Sequence, residues 1–207
     1  MKTGVKTVVV TLLAAGAVAL AGGAGAIAAG AFDVAATTPH WPVTTWVMER
    51  ARTHSIQVRA AGLLPPPGYD EAAAIEMATG HFVEHCSTCH GAPGTARNVV
   101  MDGLYPQPPN LVEAARRYTP GEMFWILKNG IKMTGMPSMA SDGDALLWNT
   151  VALLQRLPDM TDEQFNELWM AAQAKGGMEG MNHGSMVMPM GAVPDPNATD
   201  TGTNAKQ

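Results

Sequence analysis

Cys86-Ser87-Thr88-Cys89-His90 decides the reading of this chain. The run is C-x-x-C-H: two thiols stand one helical turn apart and an imidazole follows directly. That spacing suits covalent attachment of a c-type haem. Each thiol adds across one vinyl group, and the next residue turns its imidazole to the iron as the proximal ligand. Cys86 and Cys89 are the only cysteines in 207 residues, so two thioethers would leave no thiol for a disulfide or a metal cage. The run also admits a redox dithiol or half of a zinc site. A zinc site needs two further ligands at matching spacing. A thioredoxin-like dithiol needs a βαβ surrounding, and no run here alternates well enough to read as a strand.

Haem c is attached outside the cytoplasm, so an export signal is expected. Lys2 and Lys6 precede an uncharged run over residues 7–32, built from Val, Leu, Ala and Gly. A cleavable signal has an apolar core of about 7–15 residues, whereas a bilayer span needs about 20. The length predicts a retained transmembrane anchor over residues 1–32. The lysines before it place the N-terminus in the cytoplasm and the haem on the periplasmic side of a bacterial membrane. The competing reading is a signal segment cut near Ala24-Gly25-Ala26 or Ala29-Gly30-Ala31.

Residues 33–69 read as a juxtamembrane helix and a Pro-rich linker. Trp41 and Trp46 suit a membrane–water interface. A helical pattern over residues 44–61 puts Val47, Ala51, Val58 and Ala61 on one face with His54, and turns Arg50, Arg52 and Arg59 to water or lipid headgroups. Leu63-Leu64-Pro65-Pro66-Pro67-Gly68 breaks the helix and acts as a stiff spacer.

Residues 70–158 form the predicted haem domain, small but completed by a large apolar cofactor. Asp70 is the expected cap of a helix carrying Ala74, Met77, Ala78 and Phe82 inward and delivering Cys86 to the haem. Residues 103–111 are a proline-rich loop. Thr119-Pro120-Gly121-Glu122 opens the next helix as a capping box, with Met123, Ile126 and Leu127 buried and Gly130 as its end. A last helix of the domain is expected over residues 142–157, with Leu147, Val151 and Leu154 inward. Residues 159–175 carry a further helix signal, Thr161 with Gln164 in capping-box spacing, docked by Phe165, Leu168 and Trp169.

Gly80-His81-Phe82 before Cys86–His90, then Pro108-Pro109-Asn110-Leu111, then Gly130-Ile131-Lys132-Met133-Thr134-Gly135-Met136-Pro137, and finally residues 148–158 together resemble a class I cytochrome c domain. With its apolar leader the chain is similar to membrane-anchored bacterial monohaem cytochromes. The resemblance implies an all-α fold around one covalent haem c, preceded here by one N-terminal transmembrane helix. It implies that the first and last helices of the domain cross, with Gly80 and Phe82 against Trp148 and Val151. It also implies a distal methionine in the loop before the last helix. Met133, Met136 and Met139 are the candidates, and Met136, between Gly135 and Pro137, holds the family's Met-Pro position. The expected cofactor-binding residues are therefore Cys86 and Cys89 for attachment and His90 and Met136 as axial ligands of the iron. His81 and His85 lie on the approach to the cysteines and His40 and His54 outside the domain, which leaves them poor distal ligands. Pro109 is the expected carbonyl acceptor for the His90 ring proton. Tyr105 and Arg97 are the expected partners of the haem propionates.

Residues 176–207 crowd Met178, Met181, His183, Met186, Met188 and Met190 into a Gly-rich stretch and then lose all core residues. The composition reads as a disordered tail; thioethers and imidazole also suit copper(I). The formal charge is −5, without the basic footprint of a nucleic-acid binder. Met/His ligation raises the reduction potential and closes the sixth position, which favours electron transfer over catalysis. The chain is thus expected to be a non-enzymatic one-electron carrier. Its partners would be a dehydrogenase or respiratory complex as donor and an oxidase or other cytochrome as acceptor. The rival readings are a haem enzyme or sensor with a labile distal site, and an assembly or copper-handling subunit acting through the tail.

Overall fold

The structure is a computed structural model and describes residues 2–174. Helices make up its regular elements, and no strand occurs among the described residues. The tail over residues 176–207, with its methionines, lies outside the described residues.

Helix α1 (Lys2–Ala28) holds the apolar leader. Its segment Gly4–Ala28 has 25 residues and a mean hydropathy of 2.0, and none of its most apolar window is buried against protein. At about 1.5 Å per residue it is long enough to cross a bilayer. Its position at the N-terminus is also that of a signal sequence.

Helix α2 (Pro42–Ala60) begins on a proline, whose fixed φ suits a first helical position. It packs against α7 (Pro120–Asn129). Its inward face is not the one that hydropathy suggests. Ile56 and Ala60 are buried, while Val47, Val58 and His54 face out. The cause lies at the far end of the helix. A Cβ on Gly121 would come within 2.5 Å of the Leu63 carbonyl oxygen. Only glycine lets α7 approach the end of α2 so closely, and that contact turns Ile56, Ala60 and Leu63 inward together.

The domain core lies where α3 (Ala72–His85) crosses α8 (Asp144–Arg156), with α9 (Asp162–Ala174) against α3 and α7 against α8. Phe82, Leu147, Val151, Leu153 and Phe165 are almost fully buried. Each such side chain contributes roughly 1.5–3 kcal/mol on burial. The expected packing of α3 on α8 is present, with Phe82, Trp148 and Val151 in one core cluster, and two ring contacts add to it. Phe82 meets Phe165 edge-on at 5.7 Å, and Trp148 stacks on Phe124 at 4.2 Å. Met77 faces outward, and Ile75 takes the inward place expected for it.

Both expected capping boxes form. Thr119 and Glu122 exchange side-chain and backbone bonds at 2.7 and 3.3 Å. Thr161 and Gln164 do the same at 2.9 and 3.2 Å. Asp70 does not cap α3: the N-cap is Glu71, with no side-chain bond, and the Asp70 carbonyl instead accepts from Arg156 at 2.9 Å. The start expected at Asp142 is a separate 3-10 turn (Ala140–Asp142), broken from α8 by Gly143. Trp169 remains partly exposed, so Phe165 and Leu168 dock α9 with Ala172. Three short helices line the path between α3 and α7: α4 (Ser87–His90), α5 (Val99–Gly103) and α6 (Leu111–Arg117).

Candidate haem site

Cys86 closes α3 and opens α4, so the whole C-x-x-C-H run folds as one turn of helix. The backbone N–H groups of Cys89 and His90 both donate to the Cys86 carbonyl, at 3.2 and 2.9 Å. This turn points Cys86, Cys89 and His90 into one cavity of about 420 Å³. Neither cysteine is in a disulfide. Burial, then the neighbouring Cys89, then Asp142, push the Cys86 thiol up to about 12. A redox dithiol needs the opposite, a thiol lowered toward neutrality, so the site disfavours that reading.

The His90 ring is already oriented. Its Nδ1 lies 2.9 Å from the Pro109 carbonyl oxygen. A carbonyl only accepts, so Nδ1 carries the proton and donates. The lone pair is then on Nε2, the state a metal needs. Burial lowers the ring's pKa, against a smaller raising effect of the Pro109 bond, and so favours the neutral imidazole. Pro109 is held by the sequence that follows it: Asn110 caps α6 by accepting from the Val112 N–H at 2.8 Å.

The methionine loop spans residues 130–139, closes on itself and is tied back to the end of α7. The Ile131 N–H donates to the Met136 carbonyl at 3.1 Å, the Met139 N–H to the Leu127 carbonyl at 3.1 Å, and Ser138 Oγ to the Lys128 carbonyl at 2.7 Å. Met136 lines the cavity and is half-buried. Met139 lines it from within the core cluster, and Met123 lines it from α7. Met133 is 77% exposed and is not among the lining residues.

Of the histidines, His81 is buried elsewhere. Its Nε2 is 2.9 Å from Asp142 Oδ2 and its Nδ1 is 3.5 Å from Thr150 Oγ1, which ties α3 to the 3-10 turn before α8 and to the middle of α8. His85 borders the cavity beside Cys86. His40 donates its backbone N–H to the Tyr105 hydroxyl oxygen at 2.7 Å, and its ring meets Tyr105 edge-on. Neither residue expected at the propionates reaches the cavity. Tyr105 is engaged by His40, and Arg97 pairs with Asp102 at 2.8 Å. The arginines on the cavity are Arg52 from α2 and Arg117 from α6, neither foreseen from sequence.

The residues present fit a haem. Leu104, Ile126, Leu127, Ile131 and Pro137 give the cavity apolar walls, two free thiols stand on one side, and a neutral imidazole is turned inward. This is the site of a c-type cytochrome domain, whose cofactor is covalently bound haem c. Residues 73–154 match the model of the family described as cytochrome C oxidase, cbb3-type, subunit III, which makes this part of the chain a c-type cytochrome domain. No curated protein and no solved structure matches the chain.

Proposed function

We propose that the protein is a membrane-tethered one-electron carrier with a single His/Met-ligated haem c. In this reading Cys86 and Cys89 hold the haem, His90 is the proximal ligand and Met136 the distal one. The observation that carries it is the pairing of two features on one cavity: an imidazole fixed at Nδ1 by Pro109, and a methionine loop closed on itself and pinned to the end of α7, with Met136 on the wall. A soft thioether favours iron(II) and fills the sixth position, so the iron exchanges electrons without binding substrate. A pinned loop moves little when the iron changes oxidation state.

The apolar α1 supports tethering, with the haem domain on the periplasmic side of a bacterial cytoplasmic membrane. Electrons would come from a dehydrogenase or respiratory complex and leave to an oxidase or another cytochrome. The family match supports an oxidase as acceptor, since its description is that of an oxidase subunit.

Redox titration of the purified full-length protein tests the reading against a haem enzyme or sensor. One Nernstian one-electron wave is expected, and the reduced protein should not bind carbon monoxide. Rapid carbon monoxide binding at neutral pH would mean a labile distal site and would replace the carrier by the enzyme or sensor.

A further inference from the structure

The domain that matches the cytochrome family begins at residue 73, yet the haem cavity does not end there. Glu49, Arg52 and Ile56, all on α2, line it. They occur three and four residues apart, so they form one stripe along the helix. Ile56 is buried, and the close contact of Gly121 with the end of α2 fixes which way the stripe faces.

Arg52 is the unusual member. Its Nε is buried and has no hydrogen-bond partner, and Arg52 forms no ion pair among the described residues. Glu49 lies one turn away on the same wall and is not within ion-pair distance of it. A guanidinium stays charged at any physiological pH and has five donors and no acceptor. Leaving such a donor buried and unpaired is unfavourable unless an anion completes the site. The group that fills this cavity carries two carboxylates, its propionates. We infer that Arg52 donates to a haem propionate, and that α2 is a built part of the haem pocket rather than only a spacer to the membrane. The guanidinium fork is suited to a carboxylate, with two parallel N–H bonds.

The inference has an electrostatic consequence. A cation beside the haem disfavours the oxidised form, which carries one more positive charge. Arg52 therefore holds the reduction potential up. Arg117 at the mouth of the cavity is exposed and screened, so its effect is smaller.

The test compares full-length R52Q, R52K and R59Q proteins with the wild type at pH 8, where propionates are ionised. Arg59 sits on the same helix, is exposed, and is bonded to Ser55, away from the cavity. The inference rests on haem occupying this cavity, and a covalent-haem stain with the absorption spectrum reports that separately. In R52Q the propionate bending band in resonance Raman should shift, and the redox equilibrium should move about tenfold toward the oxidised form, a fall of about 59 mV. R59Q should match the wild type in both. An unchanged Raman band and potential in R52Q overturns the inference, as does an equal fall in R59Q. Should R52Q give no holoprotein, R52K decides. It keeps the charge and loses the fork, so the Raman band should shift while the potential stays near that of the wild type. An unshifted band in R52K overturns the assignment.

Discussion

At the residue scale, His90 and Arg52 illustrate what a chain reveals and what it hides. The Pro109 acceptor was legible because it lies in a short motif downstream of His90, and the 2.9 Å bond is where the motif places it. Arg52 was not legible. Three arginines on α2 look alike in sequence, and only docking against α7 decides which of them meets the cavity. His81 lies away from the cavity, and its role in the fold needs Asp142, 61 residues away. That pair yields a pH prediction. Burial raises the Asp142 carboxyl, yet the His81 and Ser141 hydrogen bonds and the His81 and His85 charges outweigh it, leaving the pKa below the ordinary 3.8. A lowered carboxylate pKa stabilises the fold above the unfolded value, and this is lost as pH falls through the folded one. Asp142→Ala leaves the buried His81 Nε2 without its partner and should cost about 1–3 kcal/mol at neutral pH. Denaturant titrations from pH 7 to pH 3 should show the gap to the wild type closing below roughly pH 4. A gap that is constant with pH would remove the carboxylate from the account.

At the element scale, helices announced by local chemistry were legible and those fixed by contact were not. Thr119 with Glu122, and Thr161 with Gln164, carry their own start signals, and both helices begin there. The short α5 and α6 also carry a signal, an asparagine cap at Asn98 and Asn110, but a proline-rich stretch hides it. The face of α2 was misjudged because apolar residues occur all round it and a remote glycine selects among them. The methionine loop depends on a glycine too. Gly130 has φ +65°, and a Cβ there would meet the Pro137 backbone at 2.6 Å. Gly130→Ala should therefore destabilise the protein by roughly 2–3 kcal/mol, from left-handed strain and the shift of the loop. It should also partly detach the distal methionine. Thermal unfolding followed at a haem band and by far-ultraviolet circular dichroism measures both effects. Wild-type stability in Gly130→Ala would show that the loop is not held through this contact.

At the scale of the whole molecule, an apolar helix, a cavity-lining helix and a haem domain follow one another along the chain. The order was legible from composition; the joining of the second to the third was not. If α1 is retained as an anchor, full-length protein should stay in the membrane fraction after an alkaline wash. Replacing residues 1–32 by a cleavable export signal should release a soluble protein with the same haem spectrum. A soluble native protein whose mass lacks that segment would make the carrier a diffusing one. The central claim concerns the iron itself: His90 on one side and Met136 on the other. The near-infrared spectrum of the oxidised protein tests it most directly, because a thioether bound to iron(III) gives a charge-transfer band that other distal ligands do not. The account predicts this band in the wild type and in Met139→Ala, and its loss in Met136→Ala with a fall in potential of at least about 100 mV, within the ~0.8 V that axial ligands span. A wild type without the band, or a Met136→Ala protein that keeps it, would contradict the assignment.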